Sequence, residues 1–182
     1  MKIVYQGKSK KGKEVLIRYP QIGDEKEMWR YINELSKEKT FVRFQGEEIS
    51  LEDEAKYLQS QLEKVKTKKT VQLLVFNNEE LMGISGVDMR DKTEKHVGIL
   101  GISIAKDFRG EGLGKLLMEL ILKEAEKEIP QFKMVTLEVY STNDIAKKMY
   151  NKFGFIEYGR LPKGIKRGGD YEDAILMYKN IK

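Results

Sequence analysis

The stretch that most limits how this chain can fold is Arg109-Gly110-Glu111-Gly112-Leu113-Gly114, set between a strand-like run and a helix-like run. Upstream, Val97 to Ile104 reads VGILGISI, short and rich in β-branched residues, as a buried strand does. Downstream, Leu113, Leu116, Leu117, Leu120 and Ile121 recur at helical spacing, with Lys115, Glu119, Lys123 and Glu124 on the other side. A glycine-rich turn that opens a helix leaves several main-chain N–H groups unpaired. It also lets an anion approach bare backbone in the favourable field of the helix dipole. Strand, turn and helix together read as a phosphate cradle.

Spacing decides which kind of cradle. A nucleotide P-loop needs GxxxxGK followed by Ser or Thr; here Gly114-Lys115 is followed by Leu116, and Arg109 stands five places before Gly114. The dinucleotide pattern GxGxxG fails as well, because the glycines fall at 110, 112 and 114 and position 115 is Lys. What remains is Arg-x-x-Gly-x-Gly after a strand. A second block follows: the alternating run VTLEVY (135–140), then Asn143-Asp144-Ile145-Ala146, Met149-Tyr150 and Phe153-Gly154-Phe155.

In these two blocks the chain resembles the GCN5-related N-acetyltransferase family. That family's acetyl-CoA signature is (Gln/Arg)-x-x-Gly-x-(Gly/Ala), followed by a strand, Asn-x-x-Ala-x-x-x-Tyr and Gly-Phe. The resemblance implies an α/β fold of mixed α+β type, with a twisted, mostly antiparallel sheet of about seven strands flanked by about four helices. It also implies acetyl-CoA as co-substrate, and an amine-bearing acceptor attacked directly in a ternary complex. Carried onto this chain, the pyrophosphate falls on the amides of about Glu111 to Lys115, within a cofactor-binding turn of Arg109, Gly110, Glu111, Gly112, Leu113, Gly114 and Lys115. The pantetheine arm runs along Ile102, Ser103 and Ile104, with Asn143, Ala146 and Tyr150 beside it. The resemblance covers Val15 to Met177, and its specific motifs lie between residues 96 and 155.

The chemistry explains why such residues are wanted. A primary amine with a pKa near ~10 is neutral in about one molecule in a thousand at pH 7, so taking its proton costs about 4 kcal/mol. Attack on a thioester then builds an oxyanion that a backbone N–H stabilises, and a thiolate leaves that a hydroxyl protonates. Tyr150 occupies the place where many family members carry that acid. It also reads as core, since Ala146 and Tyr150, like Ile145 and Met149, are spaced i, i+4 on an apolar face. Asn143 likewise reads as a helix N-cap. Family members often carry a Glu on the strand before the turn as base, but Val97 to Ala105 holds no carboxylate. The base candidates are therefore His96 (the chain's single histidine), Glu138 on the next strand, or a water.

Around the motifs the pattern predicts strands near 2–6 and 14–19, then a helix capped by Asp24 and running to about Lys37. A second helix is capped by Ser50, with Ala55, Leu58 and Leu62 inward. Strands follow at 71–77 and 81–90, then a long helix to Glu128, strand 133–140, helix 143–152, and strands near 155–160 and 172–179. The 182 residues read as one domain, 1–182. The absence of cysteine excludes disulfides, zinc thiolates and a cysteine acyl-enzyme, and no metal site is expected. No apolar run approaches a membrane span and the start is no secretion signal, so the expected setting is the cytoplasm.

The net charge of +5 raises a nucleic-acid reading, with Lys8, Lys10, Lys11 and Lys13 in one cluster and Lys64, Lys66, Lys68 and Lys69 in another. The first cluster reads instead as a solvated hairpin tip and the second as a helix end, neither interleaved with exposed aromatics. A basic surface also attracts polyanionic coenzyme A. The acidic group Glu47, Glu48, Glu52, Asp53 and Glu54 reads as a solvated helix start, with attraction of a cationic amine as the alternative. Tyr31, Phe41 and Phe44 either wall the acceptor cleft or pack beneath it. Lys163, Lys166 and Arg167 read as a loop facing either a partner subunit, as in a homodimer, or the coenzyme's 3′-phosphate. The runner-up reading keeps the fold as a non-catalytic CoA-binding regulatory domain.

Overall fold

The computed structural model describes residues 2–181. Its strands are β1 (Ile3–Lys8), β2 (Glu14–Arg18), β3 (Thr70–Asn77), β4 (Glu80–Met89), β5 (Val97–Ile104), β6 (Met134–Tyr140), β7 (Ile156–Arg167) and β8 (Asp170–Asn180). All eight join one sheet in the order β1-β2-β3-β4-β5-β6-β8-β7. Every pairing is antiparallel except β5 with β6. Four helices complete the chain: α1 (Glu25–Lys37), α2 (Leu51–Lys66), α3 (Leu113–Glu128) and α4 (Asp144–Lys152).

Alternation along the strands gives the sheet two apolar faces. On one, Val71, Leu73, Val87, Leu100, Val135, Leu137 and Val139 pack against Leu117, Met118, Ile121 and Leu122 of α3, with Tyr150 of α4 in the same core. On the other, Leu74, Phe76 and Leu81 meet Met28, Tyr31 and Leu35 of α1 and Leu58 of α2. Each large side chain buried this way contributes about 1.5–3 kcal/mol. The second helical layer stops short of β5 and β6, where Ile99, Gly101 and Glu138 stay exposed. That uncovered area is where a ligand can reach the middle of the sheet.

Several expectations need correction. The sheet has eight strands rather than about seven, and β7 and β8 run well beyond 155–160 and 172–179. They extend because Gly168 and Gly169, at φ 58 and 99, close a tight hairpin, while irregular register at Leu161/Ile165 absorbs extra residues. Lys163, Lys166 and Arg167 thus belong to a strand, not a loop. Asp24 does precede α1, but its carboxylate makes no capping bond. It is held instead by Arg18, Nη1 to Oδ2 and Nη2 to Oδ1 both at 2.7 Å, and by the Gln21 N–H at 2.8 Å. Ser50 caps α2 as expected, accepting from Asp53 N–H at 3.1 Å.

Glu54, Leu58 and Gln61 are the fully buried residues of α2, Leu62 packs against the same core as expected, and Ala55 is half-buried. The expected solvated role therefore fails for Glu54, which is only 5% exposed. Burial pushes its carboxyl up to about 7. The folded state then binds a proton that the unfolded chain has already released, so stability falls as pH rises from about 4.5 through 7. Glu54→Gln removes that loss. The variant should be more stable than the parent by roughly 1–2 kcal/mol at pH 8 and about equal at pH 4.5, as read by urea unfolding at both pH values.

Candidate active site

Pairing between β5 and β6 lasts only three positions: Val97↔Met134, Gly98↔Val135 and Ile99↔Thr136. Beyond them β5 continues on β4 as far as Ile104, while β6 continues on β8 as far as Tyr140. The two strands therefore part, leaving one edge of Leu100–Ile104 without a strand partner. The Ala105 N–H donates to Met82 O, and Gly101 O accepts from the Ser85 hydroxyl, both on the β4 side. Strand alternation then turns the main-chain groups of Leu100, Ile102 and Ile104 toward the opening, where Ile104 O is already taken by Arg109 Nε at 2.8 Å. Such groups need partners, and here a ligand can supply them.

The cradle closes the far end of β5. A single 3₁₀ turn, Lys106–Phe108, leads into Arg109, Gly110 at φ 75, Glu111, and Gly112 at φ 83, which is the N-cap of α3. The left-handed backbone at Gly112 aims the first α3 amides outward, and Gly112 has no side chain to satisfy them. The first α3 turn closes with Leu116 N–H on Gly112 O, which leaves the amides of Leu113, Gly114 and Lys115 for an anion.

Two side chains of the expected site are engaged inside the protein. The Arg109 guanidinium turns back from the turn, donating from Nε to Ile104 O at 2.8 Å and pairing through Nη2 with Glu38 at 2.6 Å. It thereby ties the cradle to the C-cap of α1. The Ser103 hydroxyl bonds Tyr31 Oη at 2.8 Å. Tyr31 therefore packs beneath the site. Phe41 stacks edge-on against Tyr140 with ring centroids 5.5 Å apart, and Tyr140 Oη donates to Val42 O at 2.8 Å. The loop between α1 and α2 is thus pinned beside the opening, and Arg167 of β7 covers Phe41 at 4.5 Å.

Helix α4 lies beside the start of α3, close enough that a side chain on Gly114 would meet Met149 Sδ at 3.8 Å. The Asn143 side chain caps α4, accepting from Ala146 N–H at 3.1 Å through its oxygen and leaving its Nδ2 free. Tyr150 is buried against Phe155, with centroids 5.8 Å apart, yet its hydroxyl has no hydrogen-bond partner among the described residues. The ring is buried, but its oxygen is not among the fully enclosed polar atoms, so it reaches solvent or a ligand. Burial pushes Tyr150 up to about 12, so it keeps its proton at neutral pH.

The base candidates separate by position. His96 begins β5 at the closed end, about 17 Å of strand from Gly101, and the structure does not bring it to the opening. Glu138 is exposed on the face that α1 and α2 leave bare. Glu138 and Gly101 each lie two residues past the last β5/β6 pair, Ile99↔Thr136, and both are exposed where the strands part. Open space surrounds the position of a Gly101 side chain. The exposed carboxylate on this face thus comes from β6 rather than from β5.

Comparison with known proteins agrees with this architecture. Residues 26–155 match the model of the acetyltransferase (GNAT) family. The chain belongs to the GNAT family. Among solved structures, a GNAT-family acetyltransferase from Streptococcus pneumoniae superposes with a TM-score of 0.84 at 29% identity, covering 92% of this chain and 100% of that one. N-alpha-acetyltransferase 20 of Dictyostelium discoideum is 37% identical over 86 residues, 47% of each protein. An uncharacterized N-acetyltransferase of Methanocaldococcus jannaschii is 33% identical over 81 residues, 44% of this chain and 49% of the relative. The chain spans about half the length of these curated relatives. The ribosomal L7/L12 alpha-N-protein acetyltransferase RimL, at 12% identity and a TM-score of 0.80, shares the fold.

The two glycines should respond oppositely to substitution. Gly112→Ala forces a side chain onto φ 83 and against Lys10 carbons 3.1–3.3 Å away, and should cost about 1 kcal/mol or more in urea unfolding. Gly101→Ala places its methyl in open space on an extended strand and should leave the unfolding midpoint unchanged or raised.

Proposed function

We propose that this GNAT-family chain, read as one domain on a single sheet, transfers an acetyl group from acetyl-CoA directly to a primary amine. The observation that carries the reading is the open edge of Leu100–Ile104 leading straight into the unpaired amides of Leu113–Lys115. One end suits an extended amide-bearing arm and the other suits a pyrophosphate, which are the two recognisable parts of coenzyme A. Asn143 and Ala146, at the start of α4, are assigned to the same arm. Bound there, acetyl-CoA supplies an activated thioester.

The protein's own groups do the rest. The backbone amide of Ile102 is placed as the donor for charge developing on the thioester oxygen. Glu138 receives a proton from the incoming ammonium, directly or through water. Tyr150, with its hydroxyl unclaimed by protein, donates to the leaving sulfur as the C–N bond forms and the C–S bond breaks. Glu138 is exposed on the bare face, so a cationic acceptor is drawn toward it. Among protein N-termini, polyamines and small amine-bearing molecules, the likeness to N-alpha-acetyltransferase 20 favours a protein α-amine. Use of acetyl-CoA and the lack of cysteine fit a cytoplasmic setting. No helix among the described residues is long and apolar enough to cross a membrane.

Tyr150→Phe should lower turnover about 100-fold, measured as thiol release with a peptide bearing a free N-terminus, while acetyl-CoA still raises the melting temperature. At ~100 times its Kd the ligand adds about 2.7 kcal/mol of stability to the parent. Glu138→Gln should cut turnover to a similar extent with the same retained binding. Unchanged turnover in both variants contradicts the assignment. Binding without turnover in the parent, across amine acceptors, favours the regulatory reading.

A further inference from the structure

The tip between β1 and β2, GKSKKGK (7–13), is not a free solvated turn: it sits on the cradle. Lys10 N–H donates to Glu111 O at 3.2 Å. Ser9 Oγ donates to Glu111 Oε2 at 2.6 Å, and Lys13 Nζ pairs with Glu111 Oε1 at 2.8 Å. Lys13 also donates to Asp107 O at 3.2 Å and lies over the Phe108 ring at 4.0 Å. The Glu111 carboxylate is 1% exposed while Lys13 stays 38% exposed. Removing Lys13 would leave a buried carboxylate with Ser9 as its remaining side-chain partner. The hairpin therefore fixes the main chain on either side of Gly110.

Lys10 itself runs across Gly112, its Cγ, Cδ and Cε lying 3.1–3.3 Å from where a Gly112 side chain would start. Its ammonium forms no ion pair among the described residues. The one carboxylate inside the glycine turn, Glu111, is already matched by Lys13. What the tip leaves at the α3 N-terminus is an unmatched cation next to unpaired amides.

We propose that the β1–β2 tip is a wall of the phosphate site. In this assignment Ser9 and Lys13 position the turn through Glu111, and Lys10 contributes its ammonium to the coenzyme's pyrophosphate. This rests on the reading that the α3 N-terminus binds coenzyme A, and it adds an element far upstream of the glycine motif. The contribution is electrostatic, so it should weaken with salt.

The test is calorimetric affinity of the full chain for acetyl-CoA, acetyl-dephospho-CoA and S-acetyl-pantetheine. Parent, Lys10→Met and Lys10→Arg are compared at two salt concentrations. Lys10→Met should bind the first two about tenfold more weakly, with a shallower salt dependence, and the pantetheine thioester equally well. Lys10→Arg should restore affinity, and melting temperatures should match throughout. Equal losses on all three ligands, a loss confined to the form carrying the 3′-phosphate, or no loss at all would overturn the assignment. If the parent binds none of the three, the coenzyme reading itself falls. That outcome is distinct from a parent that binds and a Lys10→Met variant that binds equally well.

Discussion

The site depends on how few residues β5 and β6 share. After three parallel pairs each strand follows its other neighbour, and the sheet opens without losing a strand. Opening a sheet exposes main-chain groups that cost about 1–3 kcal/mol each when buried without partners. The opening must therefore remain accessible to water or to a ligand. The uneven coverage of the sheet serves that need. Helices α3 and α4 fill one face, while α1 and α2 stop over β3 and β4 and leave Gly101 and Glu138 bare on the other. One face thus suits the acyl donor's arm and the other the acceptor.

A cradle of glycines is flexible unless something holds it, and here it is held from two sides. Arg109 joins the end of β5 to Glu38 at the C-cap of α1. Ser9 and Lys13 grip Glu111 from the first hairpin. Both clamps are ion pairs of a charged side chain in the turn with an element distant in sequence. The Arg109 and Glu111 side chains are consequently used for positioning, and in the proposed assignment the anion meets amides and Lys10. That division is economical in electrostatic terms. A guanidinium aimed at the ligand would leave Glu38 unmatched, and a free Glu111 would repel a phosphate.

The strand-turn-helix unit, the order of elements and the second motif were legible because each has a local signature: apolar period, glycine spacing, cap residues. Ser50 and Asn143 cap their helices as their positions suggested. Other features are set by contacts between distant segments and leave no local trace. The partner of Arg109 lies in α1, and the partners of Glu111 lie in the first hairpin, where a run of lysines reads as solvent-exposed. The long β7 is an almost wholly exposed edge strand, so it lacks the alternation that marks a buried one. Glu54 looked like a helix-start acid, and only the rotation of α2 against the sheet buries it. That Glu138 and Gly101 are both exposed where the strands part required the β5/β6 pairing itself.

The most direct test of the account is amide hydrogen exchange, residue by residue, with and without acetyl-CoA. Protection should appear at Leu113, Gly114 and Lys115 and along Leu100–Ile104, with little change in β3 or the far end of α3. Binding that leaves both segments as fast-exchanging as before would contradict the claim that the parted strands and the α3 N-terminus form one coenzyme site.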